Sequence, residues 1–362
     1  METPSFAPDR TSQSSHLSDS SSSTTDSSNF TTPSAMPADH AELSIRRLRS
    51  HDVVRGSPKQ TCEEIPSVPV LPDPSAPLVQ VTSLKSWIHP TTENTARILN
   101  SPSSQEEIEV VIDSIKRQFD SESPPDSQYL IVKNIPRKLF KTLVKNDETP
   151  KGVRVLILNL PQTILYKIMP NALHELIIWR FGDWLCDTLK DMGLRSRKLP
   201  PDFEIAGSTR RIGSASQKEP DSCFFPGGVS FPEGPDNWPS LVLEVGLSAS
   251  LAQLRADVQW WYANSGHRTK IMVLISAQYH SQSHSRDVSI EIWTEVENQS
   301  ELRTRGWQSQ VLQCTQRASF TNGVVSGPVL VIPFQTLMRR PAQNPAETDL
   351  ELTPECILLI CQ

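Results

Sequence analysis

The chain has 362 residues and a formal net charge of −6, room for one substantial core and one or two domains, and a charge too mild to decide for or against an anionic partner. Its six cysteines form no CxxC pair, which removes zinc-ribbon and thioredoxin-like readings. No apolar run approaches the roughly 20 residues that cross a bilayer, and the Ser-rich start is no secretory signal. The expectation is a soluble intracellular protein, of nucleus or cytoplasm, without a membrane partner.

The first 35 residues include 18 Ser or Thr, and prolines follow at 66, 69, 72, 74 and 77. Such a segment has too little apolar surface to offset the entropy of ordering its backbone, so residues 1–78 read as disordered. Within them, Arg46-Arg47-Leu48-Arg49-Ser50 has the pattern of a basophilic kinase site. Residues 79–150 read as a mixed helical and basic linker. Ser104 caps an amphipathic helix there, and Lys133, Arg137, Lys138, Lys141 and Lys145 form a basic stretch. That stretch suits a solvated helix face or a contact with an anionic polymer.

The principal domain is placed at 151–345, with a C-terminal tail at 346–362. Arg154–Leu160 and Thr163–Met169 read as paired strands, and Asn171–Met192 as a helix closed by Gly193. Three extended segments follow: Phe203–Gly207, one that reaches Asp221 and runs on through Phe225, and Leu241–Gly246. A helix at 249–264 then leads to the apolar strand Lys270–Ser276. Strand, helix, strand is a right-handed crossover unit whose strands pair in parallel. Val288–Val296 alternates and should add antiparallel; 327–333 is a further strand. The skeleton is α–β–β–β–α–β, an α/β fold with a mixed sheet flanked by helices. The apolar tail should hold Cys356 and Cys361 as buried free thiols.

Three carboxylates carry the functional reading. Glu244 interrupts the apolar strand Leu241–Val245, and a carboxylate on a buried strand is costly unless it is paired or binds a cation. Asp221 follows Pro220 at a strand mouth, and Glu175 lies on the first long helix. Alone, each has an ordinary reading: a strand-end ion pair, turn chemistry, an exposed helix residue. Together, two carboxylates on neighbouring strands with a third on the covering helix make an oxygen-rich site suited to magnesium or manganese. Such an ion activates water and neutralises charge developing on a phosphate. No phosphate-cradling Gly-rich loop, GxSxG elbow or HExxH pair competes. Trp261 falls on the apolar helix face as core, whereas Trp260 is open enough for base stacking.

Pro220-Asp221, Glu244-Val245-Gly246-Leu247-Ser248, and Trp261-Tyr262 with Gly266 in a helix-to-strand turn resemble the PD-(D/E)XK, restriction-endonuclease-like superfamily. The nearest subgroup is the bacterial endonuclease-like set whose key strand reads EV-x-S. A fungal protein set is also similar, sharing Met169-Pro170…His174-Glu175, Glu219-Pro220-Asp221 and Glu244-Val245-Gly246-Leu247-Ser248. The similarity spans 154–342, including Ile292-Trp293 and Arg340-Pro341. It implies Asp221, Glu244 and the Val245 carbonyl as metal ligands and Glu175 as the helix carboxylate. It further implies metal-dependent cleavage of DNA, with DNA and a second copy of the chain as partners.

The superfamily's usual lysine, two residues after the strand carboxylate, is Gly246 here. Lys218 and Lys270 stand on flanking strands, and Lys218 is taken as the catalytic cation. The departure also leaves two non-catalytic readings open. One is an inactive nuclease-fold protein that binds nucleic acid or a protein; the other is a scaffold recruited through a phosphorylated tail.

Overall fold

The computed structural model describes residues 87–119, 121, 127–146, 149–169, 172–227, 237–247, 251–280, 285–299 and 309–361. The segment read as disordered, 1–78, lies outside them. Among the described residues no helix is long and apolar enough to cross a membrane.

In chain order the first elements are α1 (Pro90–Thr95), β1 (Arg97–Asn100), α2 (Gln105–Phe119), β2 (Tyr129–Lys133), α3 (Arg137–Lys145), β3 (Val153–Leu158), β4 (Thr163–Ile168) and α4 (Ala172–Asp191). Next come β5 (Phe203–Ala206), β6 (Arg211–Ile212), β7 (Ser216–Lys218), β8 (Ser222–Pro226), β9 (Leu241–Leu247) and α5 (Leu251–Asn264). The chain continues with β10 (Ile271–His280), β11 (Ser285–Glu297), β12 (Gln310–Thr321), β13 (Val324–Ser326) and β14 (Leu330–Ile332). It closes with α6 (Phe334–Met338), β15 (Leu350–Leu352) and α7 (Pro354–Cys361). One sheet has the order β1-β2-β4-β3-β7-β6, a second the order β13-β12-β11-β10-β9-β8-β5, and β14 pairs with β15.

The result is a mixed α/β architecture with helices flanking the sheets, and the expected skeleton is present as α4, β5, β8, β9, α5, β10. β9 and β10 pair in parallel across α5, while β11 runs antiparallel to β10. Residues 97–145, read as a mixed linker, supply β1 and β2 to the first sheet. The apolar tail is the helix α7, with Ile357 and Ile360 buried; Cys361 is buried and Cys356 half-buried, both as free thiols.

Side-chain periodicity sets the layers. On α2, Ile108, Ile112 and Ile115 pack on Leu130, Val132, Ile164 and Tyr166, covering the outer face of the first sheet. Ser104 Oγ accepts from the Glu107 N–H at 3.2 Å to cap that helix. On α4, Ile177, Phe181, Leu185 and Leu189 recur every fourth residue and cover Leu243, Val245, Val273 and Ile275 of the second sheet. Between the sheets lies α5: Leu254, Val258, Trp260 and Trp261 pack with Val242 and Met272 on one side and Ile131, Leu156 and Leu165 on the other.

The segment read as one strand through Asp221 divides. Ser216–Lys218 belongs to the first sheet and Ser222–Pro226 to the second. Pro220 has no N–H to donate to a ladder and a fixed φ, so the chain leaves one sheet there and enters the other. Further along, Gly227 passes so close to the preceding strand's approach that a Cβ would stand 2.3 Å from the Pro201 carbonyl oxygen and 2.5 Å from that of Asp202. Gly227→Ala is therefore expected to cost about 1–3 kcal/mol by overpacking, read from thermal unfolding; an unchanged midpoint would mean this backbone yields freely.

Candidate functional site

Alternation along β9 turns Leu243 and Val245 toward α4 and Val242 and Glu244 toward the first sheet. Glu244 is 1 % exposed and its two oxygens are separately held. Oε1 accepts from Trp261 Nε1 at 2.8 Å and lies 3.3 Å from Lys218 Nζ. Oε2 accepts from Lys167 Nζ at 3.1 Å.

Asp221 sits just ahead of β8. That strand's first residue, Ser222, pairs with Leu243, so the Val245 N–H lies beyond the ladder, and Asp221 Oδ2 accepts it at 2.6 Å. Lys167 Nζ donates to the same oxygen at 2.6 Å. His174 Nε2 is 3.4 Å away and donates to the Val245 carbonyl at 3.1 Å. The other oxygen, Oδ1, is buried without a hydrogen-bond partner, 3.9 Å from Arg154 Nε. On α5, Asp257 completes the group, 3.2 Å from Lys218 Nζ and accepting from Gln253 Nε2 at 3.0 Å.

Three carboxylates thus meet two ammonium groups and an imidazole in a nearly dry space. The sources differ by sheet: Lys167 stands on β4 and Lys218 on β7 of the first sheet, whereas Asp221 immediately precedes β8 and Glu244 lies on β9, neighbouring inner strands of the second. Burial pushes the Asp221 carboxyl up, but Lys167, His174 and Arg154 outweigh it and hold it well below the usual carboxylate range. Burial pulls Lys167 down, and Asp221 and Glu244 overcome this and raise it; Lys218 is raised the same way by Asp257 and Glu244. His174 is also raised, Asp221 prevailing over burial. For Asp257 burial wins over Lys218 and pushes the carboxyl up to about 6.

Asp221, Glu244, Lys218 and the Val245 carbonyl therefore come together, and Lys218 projects inward. Glu175 does not join them. Its side chain is 60 % exposed, 3.9 Å from His174 Nδ1, and the inward helix position is its neighbour, His174. One residue turns a side chain by about 100° around a helix, enough to exchange inside for outside. Glu175→Ala is accordingly expected to change stability by no more than about 0.5 kcal/mol. His174→Ala, which removes the buried Nε2–H donated to the Val245 carbonyl beside Asp221, should cost about 1–3 kcal/mol. Chemical denaturation of the two variants checks both; equal losses would place Glu175 in the cluster.

Lys167 and Asp257 carry no weight in the sequence reading, and His174 enters it only within a quoted motif without a role in the site, though signals exist. Lys167 is the one charge in Thr163–Ile168, and Asp257 interrupts the apolar stripe of Leu254, Val258 and Trp261. Trp260, read as open for base stacking, is fully buried and donates to Ser216 Oγ at 2.8 Å. Lys270 is a half-exposed partner of Glu295 at 3.0 Å.

An all-oxygen donor set with the unsatisfied Asp221 Oδ1 suits magnesium or manganese rather than a softer metal. The donors are two carboxylates and one carbonyl; among the described residues no three His, Cys, Asp or Glu side chains group to hold a metal. Between Asp221 Oδ2 and Glu244 Oε2 stands the Lys167 ammonium.

No family model matches the chain, nor does any curated protein. Among solved structures the chain is similar to one described as "a putative nuclease belonging to DUF820 from Anabaena variabilis ATCC 29413", at 13 % identity over 61 % of this chain and 98 % of that one. The TM-score of 0.34 is too low for that likeness to carry an argument.

Proposed function

We propose that this domain is a PD-(D/E)XK-type, metal-dependent phosphodiesterase acting on DNA, with Asp221, Glu244 and the Val245 carbonyl holding magnesium or manganese. The observation that carries this reading is the convergence of those three groups beside the Lys218 ammonium, 3.3 Å from Glu244. When bound, the cation would supply an activated water and neutralise charge on the phosphate. The chain's own residues do the rest. The Val245 N–H and Trp261 orient the two carboxylates. Lys218, kept protonated by Asp257 and Glu244, offers the positive charge that Gly246 lacks, while His174 fixes the Val245 carbonyl.

One feature favours a second reading. Lys167 already bridges one oxygen of each carboxylate, and every member of the cluster is almost fully buried. A non-catalytic descendant that retains this ion-pair core and binds nucleic acid or protein would look the same.

Glu244→Gln separates the two. Plasmid DNA nicking is expected with magnesium or manganese and should fall at least about a hundredfold in the variant, because an anionic ligand is lost with little change in size. Manganese binding, followed by electron paramagnetic resonance, should weaken in parallel. Manganese binding without nicking of any nucleic acid supports the second reading; neither binding nor nicking would sink the nuclease.

A further inference from the structure

The two carboxylates proposed to hold a divalent cation do not offer all their oxygens to it. Glu244 Oε1 is taken: Trp261 Nε1 donates to it at 2.8 Å and Lys218 Nζ stands 3.3 Å away. Oε2 is the oxygen left to share, and the Lys167 ammonium donates to it at 3.1 Å. The same ammonium donates to Asp221 Oδ2 at 2.6 Å, an oxygen that also accepts the Val245 N–H at 2.6 Å. A carboxylate oxygen has about two lone-pair sites, so both on Oδ2 are filled. Asp221 Oδ1 accepts no hydrogen bond among the described residues, and Arg154 Nε stands 3.9 Å from it. An ion on Oδ1 alone would face that guanidinium instead of a second carboxylate.

Position and charge then give the same answer. Magnesium takes its oxygens at about 2.0–2.1 Å, closer than the ammonium lies to either carboxylate. An ion shared by Asp221 and Glu244 Oε2 needs the space between them, where Lys167 Nζ stands. The carboxylates of Asp221, Glu244 and Asp257 are already answered by Lys167 and Lys218, with Arg154 at the side. Two further positive charges beside a retained Lys167 would leave buried charge without a counter-ion, which an interior disfavours strongly.

Lys218 has no such conflict, because its contacts are Asp257 and the other oxygen of Glu244. The backbone of Lys167 is fixed, since β4 pairs it with Arg154 on one side and Tyr129 on the other. Its four-carbon stem is the flexible part, and a swing of that stem vacates the position without moving a strand.

Taking the metal site proposed above, we infer that the Lys167 ammonium and the divalent cation are alternative occupants of one position. Lys167 is thus a built-in competitor that sets how much metal the site needs. Manganese binding to the full chain, followed by electron paramagnetic resonance, tests this. Lys167→Met should bind manganese at least about tenfold more tightly than wild type, and adding Glu244→Gln should abolish the gain. Lys167→Arg, which keeps a cation at the position, should gain nothing. Because Lys167→Met strips two buried carboxylates of their cation, thermal unfolding supplies a second readout. Manganese should raise its midpoint by several degrees more than that of wild type, the ion standing in for the lost ammonium.

Equal or weaker binding in Lys167→Met, a like gain in Lys167→Arg, or a gain that survives Glu244→Gln would each overturn the inference. So would a Lys167→Met chain whose folding manganese supports no better than it supports wild type. The outcomes also separate this competition from the nuclease. Wild type that nicks DNA with manganese, while Lys167→Met gains no affinity, sinks the competition alone. Tight manganese binding by Lys167→Met, with a wild type that never nicks, upholds the competition and sinks the activity.

Discussion

Lys167→Met is expected to destabilise the protein by about 3–5 kcal/mol, the cost of stripping a buried carboxylate of its cation. Methionine matches the aliphatic length of lysine, so the loss is of charge rather than volume. Asp221 Oδ2 would retain only the Val245 N–H and His174, and Glu244 only Trp261 and Lys218. The two carboxylates would then face each other across the vacated ammonium position. Urea unfolding gives the measurement, through a fall in midpoint at constant slope. Adding Asp221→Asn should recover part of the loss, because the charge Lys167 neutralised is gone as well, and the two changes share one partner. A single variant that unfolds at the wild-type urea concentration would show that water reaches these carboxylates.

The second large effect is a dependence of stability on pH centred on Asp257. Its folded pKa of about 6 stands above the ordinary 3.8. Between those values the folded chain holds a proton that the unfolded chain has released, so stability falls as pH rises from about 4 to about 6, by up to about 3 kcal/mol. Asp221 acts in the opposite sense: its pKa is depressed, so its contribution is present above the ordinary carboxylate value and is lost on acidification below it. Glu219, raised by burial, adds to the fall, and His174, also raised, adds a later one as pH climbs through its folded pKa. Together these groups set the cluster's greatest stability on the mildly acidic side. Asp257→Asn should remove most of the decline between pH 4 and 6 in a series of urea titrations. A variant profile parallel to wild type would show that Asp257 does not titrate there.

The parts of the fold legible in the sequence are those whose side chains obey one periodicity. β9 is such a case: seven buried residues with a single carboxylate announce both the strand and its exceptional position. The stripe on α4 and the crossover from β9 through α5 to β10 are legible for the same reason. β12 is not, because its burial alternates irregularly along Val311–Phe320, with polar residues at several half-buried positions. The division at Pro220 was hidden because both halves read as extended and only tertiary pairing assigns them to different sheets. Within the site, the strand pattern, read together with the family resemblance, singles out Asp221, Glu244 and Lys218. It does not fix helix phase, so His174-Glu175 cannot by itself say which residue faces inward. Nor can one strand's sequence reveal that Lys167 meets carboxylates from another sheet, with 54 and 77 residues of chain between them.

The division of charge between the sheets has a consequence for how the protein comes apart. The first sheet carries the ammonium groups of Lys167 and Lys218, and the second side carries Asp221, Glu244 and Asp257. If either sheet opened alone, it would leave the other holding unneutralised charge in an apolar wall, together with the bared faces of Trp260 and Trp261. Partial opening along this seam therefore costs nearly as much as complete unfolding. Native-state hydrogen exchange of β4 and β9 should then proceed through one shared opening, so the cluster acts as a latch that makes two sheets a single cooperative unit.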